Sequence, residues 1–300
     1  MQRNLKCIVA SVLLLLLVSL VTACNDTSPT NDTSNTDNQA EVSISSQAMQ
    51  VTEDNDTVTA GTTEYRGFIV DNILHSKDYG DIHYNVYIPN KYDGSKPCAL
   101  YLTLLGYQGL YFQSVAENLK TEEFAFEAQN YNSEMIIVAP HLEDWGGTPA
   151  NQTIALTEYF LNHYNIDKSK VYANGYSGGG ETMSIVMGKR ADLFTAYLHC
   201  SSQWDGEYET IVNNKIPVYF VVGESDEYYG PQPSKDAYSE LYDLYERQGL
   251  TDSEINKLLV LDIKDKNYFS NGGIQYQHVG GKLFVQDEEI MGWLLTDKQF

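Results

Sequence analysis

From about Tyr65 onward, apolar and polar positions fall into two rhythms. The stretches "RGFIVDNILHS" (66–76) and "IHYNVYIPN" (82–90) alternate with period two, as strands with one buried face do. The polar "KDYGD" between them predicts a turn, so the pair reads as an antiparallel hairpin. Five later runs, "CALYLTLLG", "EMIIVAPH", "KVYANGYS", "FTAYLHCSS" and "IPVYFVVGES", are almost continuously apolar, as strands buried on both faces of a parallel sheet are. Between them the spacing turns helical. "NQTIALTEYFLNHYNID" brings Leu156, Tyr159, Phe160 and His163 onto one face, and "GGETMSIVMGKR", "SKDAYSELYDLYERQG" and "DEEIMGWLLTD" are further helical segments. Strand–helix alternation of this kind predicts an α/β fold: a mostly parallel central sheet, helices on both faces and an N-terminal antiparallel hairpin.

The chain before this region has a different texture. Arg3 and Lys6 precede the apolar run "CIVASVLLLLLVSLV", which ends in "LVTAC". A charged start and a short apolar core predict an export signal over residues 1–23. A cysteine at the cleavage position resembles the bacterial lipobox, so Cys24 is the expected lipidation site and membrane anchor of an exported protein. Residues 24–62, rich in Asn, Asp, Ser and Thr, bury too little apolar surface to offset ordering entropy and read as a tether. The folded body is expected over 63–300.

Composition narrows the partners. The 300 residues carry a formal net charge of -22, and the charges within the signal are basic, so the remainder is more acidic still. Such a surface repels phosphate backbones, which excludes nucleic acid as a natural partner and favours neutral substrates over polyanions. Of the four cysteines, Cys7 leaves with the signal and Cys24 takes the lipid. Cys98 and Cys200 could form a disulfide in an exported protein, but Cys98 opens one predicted strand and Cys200 closes another, at opposite ends of a parallel sheet, which favours two separate buried thiols. The cysteines and histidines show no zinc spacing, and no metal or cofactor is expected.

The candidate chemistry centres on "KVYANGYSGGGETM". Gly175 to Gly179 match G-x-S-x-G, with a strand before Ser177 and a helix after it. That context presents a serine on a sharp turn at the carboxyl edge of a sheet. Side chains at Gly175 and Gly179 would clash across the tight turn, and the Gly178 N–H is placed to face a developing oxyanion. A serine hydroxyl needs a base and a carboxylate to orient that base. After such a turn the acid precedes the histidine in the chain. His278, in "QYQHVGGKLF", meets that order; His199 lies inside a strand, and His75, His83, His141 and His163 come too early. Gly280-Gly281 beside it suit a mobile loop. Asp226, the first aspartate beyond the strand "PVYFVVG", is the favoured acid, with Asp262 next and Glu224 nearby. The second oxyanion donor is expected from the loop after "LYLTLLG", at the Tyr107 N–H. Trp145 and Trp204 follow strand ends on the same side, where each either walls a substrate pocket or plugs the structure.

These segments, with "YIPNKYDGSKPCALYLTLLG", "NIDKSKVYANGYSGGGETM", "VYFVVGESDEYYG" and "HVGGKLF", resemble the α/β-hydrolase superfamily from about Ile82 to Leu295. The likeness is greatest to its secreted esterase branch, the polyhydroxybutyrate-depolymerase and feruloyl-esterase-like proteins, with some similarity to prolyl-oligopeptidase catalytic domains. Many relatives have His-Gly after the early strand, where this chain has Leu105-Gly106. The resemblance implies a serine hydrolase without cofactor, with Ser177, Asp226 and His278 as its triad and Tyr107 and Gly178 as oxyanion donors. The expected substrate is an extracellular neutral ester. A peptidase of prolyl-oligopeptidase type and a catalytically silent, lipid-anchored binding protein are the alternatives.

Overall fold

The structure, a computed structural model, describes residues 56–143 and 146–296. The expected signal, Cys24, most of the expected tether and Trp145 lie outside the described residues. Strands β1 (Thr57–Thr59), β2 (Thr63–Tyr65), β3 (Phe68–Ser76) and β4 (Gly80–Tyr87) come first, and β5 (Cys98–Leu104) follows. Then come α1 (Phe124–Tyr131), β6 (Ile136–His141), α2 (Gly147–His163), β7 (Ile166–Tyr176), α3 (Gly178–Arg190) and β8 (Ala196–Cys200). The chain continues through α4 (Glu209–Asn214), β9 (Val218–Gly223), α5 (Gln232–Arg247), α6 (Asp252–Leu258) and β10 (Leu259–Lys264). It ends with α7 (Lys266–Asn271), α8 (Gly281–Gln286) and α9 (Glu288–Leu295).

Among the described residues one sheet runs β1-β3-β4-β6-β5-β7-β8-β9-β10, with β2 also on β3. The β3–β4 hairpin closes at Ser76 opposite Gly80 as predicted, and every pair from β6 to β10 is parallel. Period two then sorts the side chains. Leu100, Leu102 and Leu104 of β5 pack with Leu156 and Phe160 of α2, Met183 and Met187 of α3, and Leu241 and Tyr245 of α5. Ala99 and Tyr101 of the same strand face the other way, toward Phe124 of α1, Phe269 of α7, Phe284 of α8 and Met291 of α9. Both faces are therefore buried, which is why the central stretches of these strands are almost continuously apolar.

Four expectations change. β1 falls within the segment read as tether: Thr57 pairs with His75. It is fully exposed, held by backbone pairing, so a hydrophobic pattern could not reveal it. Arg66 and Gly67, read as strand, both take positive φ in the turn between β2 and β3, the mirror-image geometry that a tight hairpin favours. On α2, Leu156 and Phe160 are buried as expected, but His163 is exposed and stacks on Tyr159 at 4.1 Å. Gly280 and Gly281 serve close packing: a Cβ at Gly280 would come within 2.4 Å of Phe269, and one at Gly281 within 2.8 Å of Tyr176. Cys98 and Cys200 are both free, Cys98 half-buried and Cys200 fully buried.

Candidate active site

The carboxyl ends of β5, β7, β8 and β9 share one edge of the sheet, where α/β proteins gather their functional loops. β7 ends at Tyr176, and Ser177 makes the turn into α3 with φ 52° and ψ -122°. That conformation costs a non-glycine residue about 1–3 kcal/mol. Its surroundings enforce it. The Ser177 N–H donates to the Cys200 carbonyl at 3.0 Å, and the Ser177 carbonyl accepts from Ser202 Oγ at 2.7 Å and Gly180 N–H at 2.8 Å. Glycines make the approach possible: a Cβ at Gly179 would lie 2.3 Å from the Leu104 carbonyl oxygen, and one at Gly175 2.6 Å from the Gly179 oxygen.

Ser177 Oγ lies 3.0 Å from His278 Nε2. On the other side of the ring, His278 Nδ1 lies 2.9 Å from Asp226 Oδ2 and 3.1 Å from Oδ1. Asp226 follows β9, and its side chain is wholly buried. Burial alone would raise this carboxyl; the imidazole and the N–H groups of Tyr229 and Tyr228 outweigh it and hold the carboxyl below the ordinary aspartate value. Those two N–H groups donate to Oδ1 at 2.9 and 3.0 Å, so the carboxylate cannot rotate away from the ring. The single turn Gln277–Val279 presents His278. It is pinned by Ser225 N–H to Gln277 Oε1 (2.7 Å), by His278 N–H to Glu227 Oε2 (3.0 Å) and by the Tyr176 hydroxyl donating to the His278 carbonyl. Tyr176 and Tyr228 stack on the imidazole with centroids at 6.1 and 5.2 Å.

The alternative acids are engaged elsewhere. Asp262 accepts from the Tyr219 hydroxyl at 2.7 Å and pairs with Lys264 at 2.8 Å, while Glu224 accepts from the Lys266 N–H at 2.8 Å. His199 is fully buried, its Nδ1 2.8 Å from the Tyr197 hydroxyl, and burial lowers its pKa to about 4. The backbones of Tyr107 and Gly178 meet: a Cβ on Gly178 would be 3.2 Å from Tyr107 Cα and 3.4 Å from its nitrogen. The helical turn Gln108–Phe112 follows Tyr107, and the Tyr111 hydroxyl donates to the Gly178 carbonyl at 3.3 Å, tying that turn to α3.

A cavity of about 570 Å³ opens over Ser177 and His278. Gly106, Tyr107, Tyr176, Tyr228 and Tyr229 contribute to its wall, together with Glu122 and Glu181. The Tyr229 hydroxyl donates to Glu181 Oε1 at 2.8 Å. Trp204 does not line this cavity. Its indole stacks on Tyr208 at 5.4 Å, packs against His199 and Phe220, and donates to the Gly206 carbonyl at 2.9 Å, so it plugs the core beside β8.

Ser177, His278 and Asp226 sit on the turns after β7, before α8 and after β9 of a mostly parallel sheet, and known structures share this framework. A thermostable esterase aligns with a TM-score of 0.60 at 16% identity, over 76% of this chain and 62% of that one. The chain has the α/β-hydrolase fold. An S-formylglutathione hydrolase from Agrobacterium tumefaciens aligns at 0.51 and 14% identity, over 79% and 98% of the two chains. A prolyl endopeptidase structure aligns at 0.51 and 10%, over 80% of this chain and 39% of that one. The sequence model of the prolyl oligopeptidase family matches residues 141–276, a span holding Ser177 and Asp226 and ending just short of His278. No curated protein matches the sequence. Glu122, Glu181 and Tyr228–Tyr229 were missed by sequence reasoning. The tyrosines stand two and three residues after Asp226, and their position near the acid is the signal that could have found them.

Proposed function

We propose that the protein is a serine hydrolase acting on carboxylic esters through an acyl-enzyme on Ser177. The observation that carries this is the unbroken relay from Ser177 Oγ to His278 Nε2 (3.0 Å) and from His278 Nδ1 to Asp226 Oδ2 (2.9 Å). Oγ attacks the acyl carbon as Nε2 takes its proton. Asp226 fixes the tautomer that leaves Nε2 free to accept, and it steadies the imidazolium. The N–H groups of Gly178 and Tyr107 receive the oxyanion, Gly178 at the electropositive start of α3. His278 then gives its proton to the leaving alcohol, and water repeats the sequence on the serine ester. Glu122 and Glu181 in the cavity wall, added to the acidic surface, support neutral substrates over anionic ones.

Ser177→Ala is expected to abolish hydrolysis of p-nitrophenyl acetate while leaving the melting temperature nearly unchanged. Retained turnover would refute the assignment. The prolyl oligopeptidase match over 141–276 favours a second reading, a peptidase acting on small peptides. Faster turnover of an aminoacyl amide than of the matching ester would select it. The proposed setting is the outer face of a membrane, through a lipid on Cys24. Its support is the sequence of residues 1–24, and an unmodified Cys24 in a mass spectrum of the mature protein would remove it.

A further inference from the structure

Glu122 lies between the helical turn Val115–Leu119 and α1, and its Oε2 is buried with no hydrogen-bond partner. Burial pushes its carboxyl up to about 7, opposed by a hydrogen bond from the Gly106 backbone and by the pull of His278. A carboxyl in that position costs folding free energy, since a buried charge is unfavourable unless paired. The chain has nevertheless made room for it on two sides. A Cβ at Gly281 would come within 2.6 Å of Glu122 Cγ, and one at Gly106 within 3.4 Å of its Oε1. Gly106 leads directly into Tyr107, and Gly281 closes the segment that presents His278. The Glu122 side chain therefore packs against both loops, its Oε1 beside Gly106 of the loop expected to hold an oxyanion donor and its Cγ beside Gly281 of the segment holding the base.

We propose that Glu122 is a positioning residue for the reaction: it anchors the Gly106–Tyr107 peptide at the oxyanion site and, as an anion, favours the imidazolium that His278 becomes in the transition state. The proposal rests on the serine-hydrolase reading. The titratable groups facing the carboxyl are Tyr176 from β7, Cys200 from β8 and His278. Tyr107 lines the same cavity, and Asp226 Oδ2 lies 2.9 Å from His278 Nδ1. The neighbouring Glu123 points away, to Arg66 and Lys282, both at 3.3 Å. The folded pKa is raised, so the anion that assists His278 is present above neutral pH and is lost as pH falls through it.

Glu122→Gln keeps an acceptor for the Gly106 N–H and removes the charge. The assay is p-nitrophenyl acetate turnover across pH, with melting temperature and fluorophosphonate labelling of Ser177 measured alongside. The expected result is a fall in kcat of roughly tenfold with KM little changed, as for a group that acts on the transition state. The acid limb of the wild-type profile should change shape in the variant, because the Glu122 ionisation is gone. Melting should stay level or rise, because a buried charge has gone. Glu122→Ala, which also frees Gly106, should lose more activity than Glu122→Gln. Unchanged kcat with superimposable pH profiles, or a loss of activity that only tracks a fall in melting temperature, would overturn the positioning role. A wild type that neither labels nor turns over ester overturns the hydrolase reading, and the positioning role with it.

Discussion

Asp226→Asn isolates the electrostatic part of the relay with almost no change in shape. Oδ1 holds the N–H groups of Tyr229 and Tyr228 at 2.9 and 3.0 Å, so the amide is forced to keep its oxygen there. Its NH₂ then replaces Oδ2, which lies 2.9 Å from His278 Nδ1. A donor facing Nδ1 demands the opposite tautomer, with the proton on Nε2. The nitrogen 3.0 Å from Ser177 Oγ can then no longer accept. The expected loss in kcat/KM is on the order of 10⁴, or about 5.5 kcal/mol of transition-state stabilisation. Steady-state hydrolysis of p-nitrophenyl acetate measures it, with circular dichroism to show the fold intact. The same variant tests the acid sensitivity of folding. The Asp226 pKa is lowered by folding, so its ionisation stabilises the protein above the unfolded value, about 3.9, and that contribution disappears as pH falls through the folded value. Melting temperatures of wild type and variant should therefore converge in acid. A variant retaining a tenth or more of wild-type kcat/KM would refute the tautomer argument.

Two further outcomes follow from packing. Gly179→Ala places a methyl 2.3 Å from the Leu104 carbonyl oxygen and 2.5 Å from that of Leu105. We expect a destabilisation of about 1–3 kcal/mol by chemical denaturation, with activity falling further because the displaced segment leads into Gly106–Tyr107. An unchanged midpoint would contradict the close approach. Trp204→Ala empties a site between Tyr208, His199 and Phe220 and should cost about 3 kcal/mol, while kcat/KM per folded molecule on a small ester stays as in the wild type. A selective rise in KM would return Trp204 to the substrate pocket.

The parallel strands were legible because both faces of each are buried, which makes "CALYLTL" and "VYFVVG" almost continuously apolar. The serine turn was legible because its steric demands admit only glycine at Gly175 and Gly179. His278 was chosen by chain order and by elimination, since His199 reads as part of a strand. What the sequence hid was held by other forces. β1 joins through backbone pairing with no buried side chain, and α8 begins at a glycine that reads as a loop. Trp204 and Trp145 follow strand ends equally, and nothing local says that the Trp204 indole turns inward. Glu122 sits in "KTEEFAFEA", where an acidic pair reads as solvated surface. Only tertiary packing separates buried Oε2 of Glu122 from Glu123 with its salt bridges.

The His278 imidazole stacks with Tyr176 and with Tyr228, and the His278 backbone carbonyl accepts from the Tyr176 hydroxyl. In the proposed mechanism the proton taken from Ser177 is delivered from the same nitrogen, so the departing alcohol and the incoming water would arrive at one shared point beside Nε2. Product exit and water entry then become a queue at a single doorway.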